Sequence, residues 1–485
     1  MQHFRPSWVP EEGAGVQSLF NLVDRAVPNF FAPDRPIVIG RAPGRLDVMG
    51  GIADVSGALV LRLPLAEAVC SAAQQREDDQ VHVWSPCKDH SRSSHVAIRL
   101  GDLGLPDQPI DYVRARAVFR SAPRDSWSFY VLGMLLALAK EHGVRFTRGF
   151  AILLASDVPE VMGVGASAAM EIAALRAIAE LHGIKLHERD IALLCQKVEN
   201  EIAGAPGGVM DQMTALCGTA NHVLALRCQP AEIEAQVPVP HAIEIFGMSS
   251  GLRHEPDAAD YRRVRSAAFM GYRVLAEARG LVAKGADGAV TIDDPQWHGF
   301  LANCTKEELH ARWLGHLPET MRGSDFLARH GSTTDPFTVV EPDVDYPVRA
   351  ATLHTIEENA RAERFHKLLG EPMSPDVLCE LGDLMLASHD AYSACGLGSP
   401  ATDLIVQEVR NRRAHGSGIW GARITARGNG GTVAILGERG RAYLEVLRIK
   451  KAVSAKLPFS PEIFRWSSDG AMTFGTVALT PTQPS

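Results

Sequence analysis

Pro159-Glu-Val-Met-Gly163-Val-Gly165-Ala166-Ser167-Ala168-Ala169 is the stretch on which the reading of this chain turns. Two glycines and a serine stand where an apolar helix begins. Ala168, Ala169, Ile172, Ala173, Ala174, Leu175 and Ala179 then fall on nearly every helical face between Ser167 and His182, the pattern of a helix buried on most sides. The first amides of a helix have no intrahelical partner and the helix dipole is positive there, so the loop suits an anion, with phosphate the natural guest. Taken alone, the same residues also read as a plain glycine-rich turn.

Two phosphate-binding patterns compete for the loop. Gly163-x-Gly165-x-x-Ala168 fits a relaxed dinucleotide fingerprint, but that fingerprint follows a strand immediately and expects an acidic residue about 20 positions on. Here the preceding apolar run, Phe150 to Ala155, ends before Asp157 and Pro159, and the chain continues as helix through Glu180 and Leu181. The Walker pattern, which needs a lysine followed by serine or threonine after its second glycine, is absent.

Outward from the loop, Pro36-Ile-Val-Ile-Gly40 and Ala58-Leu-Val-Leu-Arg-Leu63 read as strands around a Gly- and Asp-rich connection. Asp190 to Glu201 predicts a helix, broken at Gly204-Ala-Pro206-Gly207-Gly208 and resumed from Val209 to Leu216. A polar, Pro-rich passage between Arg227 and His241 suggests a boundary, dividing the chain into residues 1–230 and 231–485. Thr432-Val-Ala-Ile-Leu436 reads as a strand of the second half, and the Pro- and Gly-dotted stretch from Lys284 to Tyr346 as an insertion or loosely packed subdomain. The fold class expected is α+β, in two lobes.

At 485 residues and 46% hydrophobic, the chain is long enough to bury substantial cores without disulfides or a structural metal. A net charge of −8 offers no global basic field for a nucleic acid or an anionic membrane. Ser126 to Ala139, the longest uncharged run noted, falls short of the roughly 20 residues a spanning helix needs. Eight scattered cysteines without a Cys-x-x-Cys pair read as reduced thiols. Arg5, Glu11 and Glu12 precede any apolar stretch, unlike a secretory signal. A cytoplasmic protein is expected.

Phosphoryl transfer to a hydroxyl needs metal on the phosphates, a cation near the developing charge and a carboxylate for the hydroxyl proton. Glu199, with the Ser167 hydroxyl, offers a hard-oxygen pair suited to Mg²⁺, although a helical glutamate is by default a solvated one. Asp211 follows Gly207 and Gly208, small residues that leave room for a ligand beside a carboxylate at a helix N-terminus, where a dipole-favoured acid is the plain alternative. Arg45 stands in Arg41-Ala-Pro43-Gly44-Arg45-Leu-Asp47, read as a turn from which a guanidinium reaches substrate oxygens or forms a surface ion pair.

Taken together and in order, these segments resemble the galactokinase-like superfamily, the group of galactokinase, homoserine kinase, mevalonate kinase and phosphomevalonate kinase. Ala42 to Gly50 looks like its N-terminal motif, Gly163 to Ala169 like its ATP-phosphate loop and Gly421 to Thr432 like its C-terminal glycine motif. Resemblance to the kinase domains of L-arabinokinases extends through Cys195–Gly218, Gly251–Met270, Arg349–Arg361 and His389–Ser399. It implies a two-lobed fold, the N-terminal lobe related to domain 2 of ribosomal protein S5 and the C-terminal lobe an α/β sandwich.

The resemblance also implies roles. Asp211 would be the catalytic carboxylate and Arg45 its charge-stabilising partner. Ser167 and Glu199 would hold Mg²⁺, and the amides of Gly163, Val164, Gly165, Ala166, Ser167 and Ala168 would cradle the phosphates of ATP. Asp54, Gly208 and Tyr261 match sugar-contacting positions, and Trp127 would approach the adenine. Galactokinases carry Glu and His after the Gly50 position and use them on the C6 hydroxyl of the sugar, whereas Gly51 and Ile52 stand here. A pentose without that hydroxymethyl arm loses nothing, while galactose forfeits hydrogen bonds.

The activity implied is ATP-dependent phosphorylation of L-arabinose at its anomeric oxygen. Galactose, another monosaccharide such as a uronic acid, or a non-catalytic sugar and ATP sensor of the same fold are the alternatives. The partners implied are a small sugar and ATP, with no nucleic acid and no membrane. Ala166 replaces a common serine, and Ala426, Arg427 and Asn429 interrupt a Gly/Ser run. Arg427 would either add charge near the phosphates or block close backbone approach.

Overall fold

The computed structural model describes residues 4–8, 16–26, 29–87, 90–252, 259–285 and 288–482. Residues 11–12, cited above for the N-terminal charge pattern, and 253–258, inside the Gly251–Met270 match, fall outside these ranges.

The strand Leu59–Gln75 organises the first lobe. Apolar on both faces for most of its 17 residues, it pairs along one edge with Ile37–Met49 and along the other with two strands in succession. These are His222–Arg227 near its start and Phe150–Ser156 near its end. A nine-stranded sheet results, running Phe4–Pro6, Thr476–Pro481, Ile37–Met49, Leu59–Gln75, Phe150–Ser156, Gln80–Trp84 and His95–Arg99. His222–Arg227 and Glu232–Pro238 complete it. The sheet thus takes in residues on the far side of the boundary expected at 231.

The alanine-rich helix Ala166–His182 lies on the Ile37–Met49 and Leu59–Gln75 strands. The approach is close: a methyl at Gly40 would stand 2.2 Å from the Ala173 carbonyl, and small residues on both surfaces permit it. The helix starts with Gly165 in the left-handed region, φ 78°.

The second lobe is a four-stranded antiparallel sheet in the order Ile419–Ile424, Thr432–Glu438, Ile243–Ser249, Ile463–Phe464. Helices Pro375–Ala394, Pro400–Ala414 and Ala442–Ser454 pack on its strands. Helices Ala259–Ala278 and Val348–Leu369 cross at Gly271, where a methyl would meet Thr352 Oγ1 at 1.8 Å.

Two sequence expectations change here. Arg45 is not on a turn: Ile37–Met49 is one continuous strand whose register shifts between Pro43 and Arg45 and again between Asp47 and Met49. Such irregularities absorb a proline and a glycine and re-aim the side chains that follow. Nor is the 284–346 stretch loosely packed where it is described. Trp297, Leu309, Leu317 and Phe326 are buried with residues of the Ala259–Ala278 helix, and a bidentate ion pair of Arg265 with Asp335, 2.7 and 2.8 Å, ties the two together. Widely spaced apolar residues between short turns gave no periodicity from which to read this core.

A buried ion network joins the lobes. Asp47 of the first faces Arg62 at 3.3 Å and Arg423 of the second at 3.1 Å. Arg423 also donates to Ser388 Oγ, which donates to Glu358 at 2.7 Å, and Glu358 accepts from the Gly50 amide. Each of these charges sits with its partners rather than alone, as buried ions must.

Candidate active site

The glycine loop is fastened to the first motif through Arg45. Its amide donates to the Val164 carbonyl at 2.8 Å and its Nη1 to the Gly163 carbonyl at 2.5 Å. A methyl at Gly44 would stand 2.8 Å from that Val164 carbonyl, so the glycine is what lets strand and loop meet. With its remaining nitrogens Arg45 grips Asp211, Nε to Oδ1 at 2.6 Å and Nη2 to Oδ2 at 2.5 Å. This is the bidentate fork in which arginine and carboxylate match best.

Asp211 occupies the first turn of helix Met210–Cys217, and its side chain keeps 21% exposure while Arg45 keeps 4%. Burial opposes the Asp211 charge, but Arg45, with help from Arg62 and Arg427, outweighs it and holds the carboxyl down at about 2. The group is therefore ionised throughout the neutral range.

Glu199 lies in a π-type turn, Val198–Ala203, that follows helix Glu188–Lys197; widened turns of this kind re-aim a side chain inward. It is buried, not solvated. Burial pushes its carboxyl up, moderated by Arg427 and by a hydrogen bond from Ser167. Just beyond, the Asn200 side chain bonds the amide and carbonyl of Gly207 and so fixes the glycine pair beside the acids.

Arg45, Gly163, Gly165, Ala166, Ser167, Glu199 and Asp211 line one cavity of about 310 Å³, with Trp127, Tyr130 and Arg92 also on its wall. The Arg92 guanidinium lies 4.3 Å from the Trp127 ring centre, and the buried indole Nε1 has no hydrogen-bond partner. Val164 and Ala168 are buried, so backbone is what they bring to the loop.

Asp54, in the 3₁₀ turn Gly51–Ser56, is buried with no hydrogen-bond partner on either carboxylate oxygen. Burial raises its carboxyl to about 6, against the pull of Arg62 and Arg265. A methyl at Gly208 would stand 1.9 Å from Asp54 Oδ2. Tyr261, buried on helix Ala259–Ala278, faces Arg427, whose guanidinium is 5.2 Å from its ring centre. Next to Asp54, the Tyr392 hydroxyl accepts from the Ile52 amide at 2.8 Å and fills the space a side chain at Gly51 would need, 1.7 Å from a methyl built there.

The sequence did not single out Glu171, Arg92 or Tyr392. Glu171 is fully buried one helical turn beyond Ser167. Burial first, then the neighbouring Glu199, drives its carboxyl well above the usual range, against a hydrogen bond from Gln212. A lone charge in the apolar first half of a helix whose other charges, Arg176 and Glu180, come later was the available signal.

A two-lobed α+β chain with an anion-receptive loop, two facing carboxylates and a guanidinium fork around one cavity has the layout of a small-molecule phosphotransferase. The profile of the GHMP kinases N terminal domain matches residues 130–219. Residues 130–219 thus carry a GHMP kinase N-terminal domain. It is similar to L-arabinokinase of Arabidopsis thaliana, 38% identical over 94% of this chain. It spans only about half of that relative, 48%. It is 28% identical to galactokinase of Roseiflexus sp. (strain RS-1), over 83% of this chain and 84% of the relative. In fold it is similar to Lactococcus lactis galactokinase complexed with galactose, with a TM-score of 0.71 at 18% identity covering 93% of this chain and 99% of the other. Methanococcus jannaschii mevalonate kinase follows at a TM-score of 0.54 and 14% identity, covering 89% and 98%.

Proposed function

We propose that this protein is an ATP-dependent sugar 1-kinase acting on L-arabinose in the cytoplasm, with an N-terminal lobe sharing its fold with domain 2 of ribosomal protein S5. The observation that carries the reading is the bidentate Arg45–Asp211 pair set across one cavity from Ser167 and Glu199. Ser167 and Glu199 supply two hard oxygens, and Mg²⁺ is commonly held by one or two protein groups plus substrate phosphates. The donor set therefore fits the ion, although no cluster of three or more acidic, His or Cys ligands occurs among the described residues. When bound, Mg²⁺ supplies charge neutralisation at the phosphates.

In this reading the anomeric oxygen attacks the γ-phosphorus, the bond from that phosphorus to the β-γ bridging oxygen breaks, and ADP leaves. Asp211 takes the hydroxyl proton. A carboxyl held near 2 is a weak base, which suits a loose transition state in which the hydroxyl becomes acidic only as its bond to phosphorus forms. Arg45 keeps Asp211 ionised and aimed. Gly163 to Ala168 present amides to the phosphates, with Trp127 at the adenine end. Asp54, Gly208 and Tyr261 form the sugar side.

Arabinose is favoured over galactose by Gly51, Ile52 and Tyr392. The Tyr392 hydroxyl takes up the room beside Gly51 and is already spent on the Ile52 amide and the Ala426 carbonyl, so its proton is not offered to a sixth carbon's hydroxyl. ADP release measured over arabinose, galactose, glucuronate and mevalonate tests the assignment. Turnover with arabinose well above the others is expected, and equal turnover of galactose and arabinose would defeat the specificity argument. Sugar binding without ADP release from any of them would make the protein a sensor.

A further inference from the structure

We propose that Arg427 is a catalytic cation, supplied to the cavity by the second lobe, that stabilises the phosphoryl group in flight. The inference rests on the sugar-kinase reading above.

Arg427 stands among the groups that reading uses. It lines the same cavity as Ser167 and Asp211, and its Nη2 lies 4.0 Å from Glu199 Oε2. A methyl at Gly207 would be 2.8 Å from that Nη2, and the guanidinium lies 5.2 Å from the Tyr261 ring centre. The guanidinium is thus poised where the phosphate end and the sugar end of the site meet.

Its backbone is fixed for the purpose. Ala426, Gly428, Asn429, Gly430 and Gly431 all have positive φ, a strained run for the two residues that carry a Cβ. The Ala426 amide donates to Asp47 Oδ2 at 3.2 Å and its carbonyl accepts from Tyr392 at 3.0 Å. The Asn429 amide donates to the Leu397 carbonyl at 2.7 Å. Arg427 is therefore held between two pinned neighbours and tied to the interlobe network through Asp47. A fixed cation aimed at developing charge needs little reorganisation during reaction, which is where electrostatic catalysis gains most.

As the anomeric oxygen closes on the γ-phosphorus and the bond to the β-γ bridging oxygen opens, charge spreads over the equatorial and leaving oxygens. Arg45 is committed to Asp211 and the loop carbonyl. Arg427 approaches from the opposite lobe and would serve those oxygens in transit. The plainer role, neutralising Glu199, predicts equal effects on bound ATP and on the transition state. Only transition-state contact changes kcat selectively.

The test uses the full chain, with Arg427→Gln and Arg427→Lys. Steady-state kinetics with arabinose and ATP are combined with calorimetric binding of ADP, and of ADP with aluminium fluoride in the presence of the sugar. For Arg427→Gln we expect kcat to fall by about 10²–10³-fold, with ADP affinity within about threefold of the parent and affinity for the aluminium fluoride complex lost roughly in step with kcat. Arg427→Lys should recover part of the loss. A kcat for the Gln variant within about threefold of the parent, or a loss confined to the KM for ATP, would overturn the proposal. If the Gln variant fails to fold by thermal unfolding, the Lys variant decides: about tenfold lower kcat with ADP affinity kept supports it, and unchanged kcat overturns it. A parent protein that phosphorylates no sugar defeats the kinase reading instead, a result separable from any parent-to-variant ratio.

Discussion

Arg45 and Asp47 lie two residues apart on one strand, and each meets a charge from elsewhere in the chain, yet their surroundings differ. Arg45 grips Asp211 at the wall of a cavity, where the carboxylate keeps part of its surface open. Asp47 is sealed between Arg62 and Arg423, with no exposure on any of the three side chains. Similar ion chemistry thus does two jobs. A fork with one open face can trade a proton or meet a ligand. A fully enclosed network cannot, and what it holds instead is the junction of two lobes, at a desolvation cost offset only while every member keeps its partner.

Substitutions should separate these jobs. The largest effect is expected at the open pair: Asp211→Asn should lower kcat by about 10²–10⁴-fold and stability by only about 2 kcal/mol, the linkage carried by a carboxyl held at about 2, measured by coupled ADP release and denaturant unfolding. A loss of only a few-fold would remove Asp211 from the proposed proton step. At the enclosed network, Arg423→Met should destabilise by about 3–5 kcal/mol by leaving buried carboxylates unpaired, read from denaturant unfolding. Unchanged stability there would erase the contrast.

Asp54 sharpens the comparison, being a buried carboxylate with no bonded partner. Its pKa is raised from about 4 to about 6, so between those values the folded protein keeps a proton that the unfolded chain releases. Stability therefore declines as pH rises through that window. Asp54→Asn should escape the decline and exceed the parent by about 3 kcal/mol above pH 6, while its affinity for arabinose falls. Unfolding at pH 4 and pH 7 measures the first, and sugar titration the second. In the parent, arabinose affinity should also weaken below about pH 6 as Asp54 protonates, whereas Asp211 stays ionised. The smallest effect is expected from Gly208→Ala, whose methyl intrudes on Asp54. The KM for arabinose should rise about tenfold, equivalent to roughly 1.4 kcal/mol, with the KM for ATP unchanged.

What the sequence disclosed followed the range of each interaction. Helix Ala166–His182, its glycine start, and the broken helix around residues 204–208 were legible because capping, periodicity and glycine act over a few residues. That Arg45, Ser167, Glu199 and Asp211 would share a cavity came from the order of family motifs, since no local pattern links positions 166 residues apart. Arg45 read as a turn residue because Pro43 and Gly44 mark turns far more often than an irregular strand. Glu171, Arg92 and the Asp47–Arg423 pairing stayed hidden because each acquires its meaning from a contact across the fold. The packing of 284–346 was equally opaque, its core residues being too sparse to set a period.

The strand Thr476–Pro481 lies between Phe4–Pro6 and Ile37–Met49 in the first sheet. On the ribosome, the gap it fills must stand vacant until residue 481 has emerged, after the strands and helices of the second lobe. The first lobe therefore cannot be completed before the second has been made, and the nascent chain carries an unfinished edge past the birth of the second lobe. Chaperone capture during that interval would fall on the exposed flank of Ile37–Met49, the strand that carries Arg45.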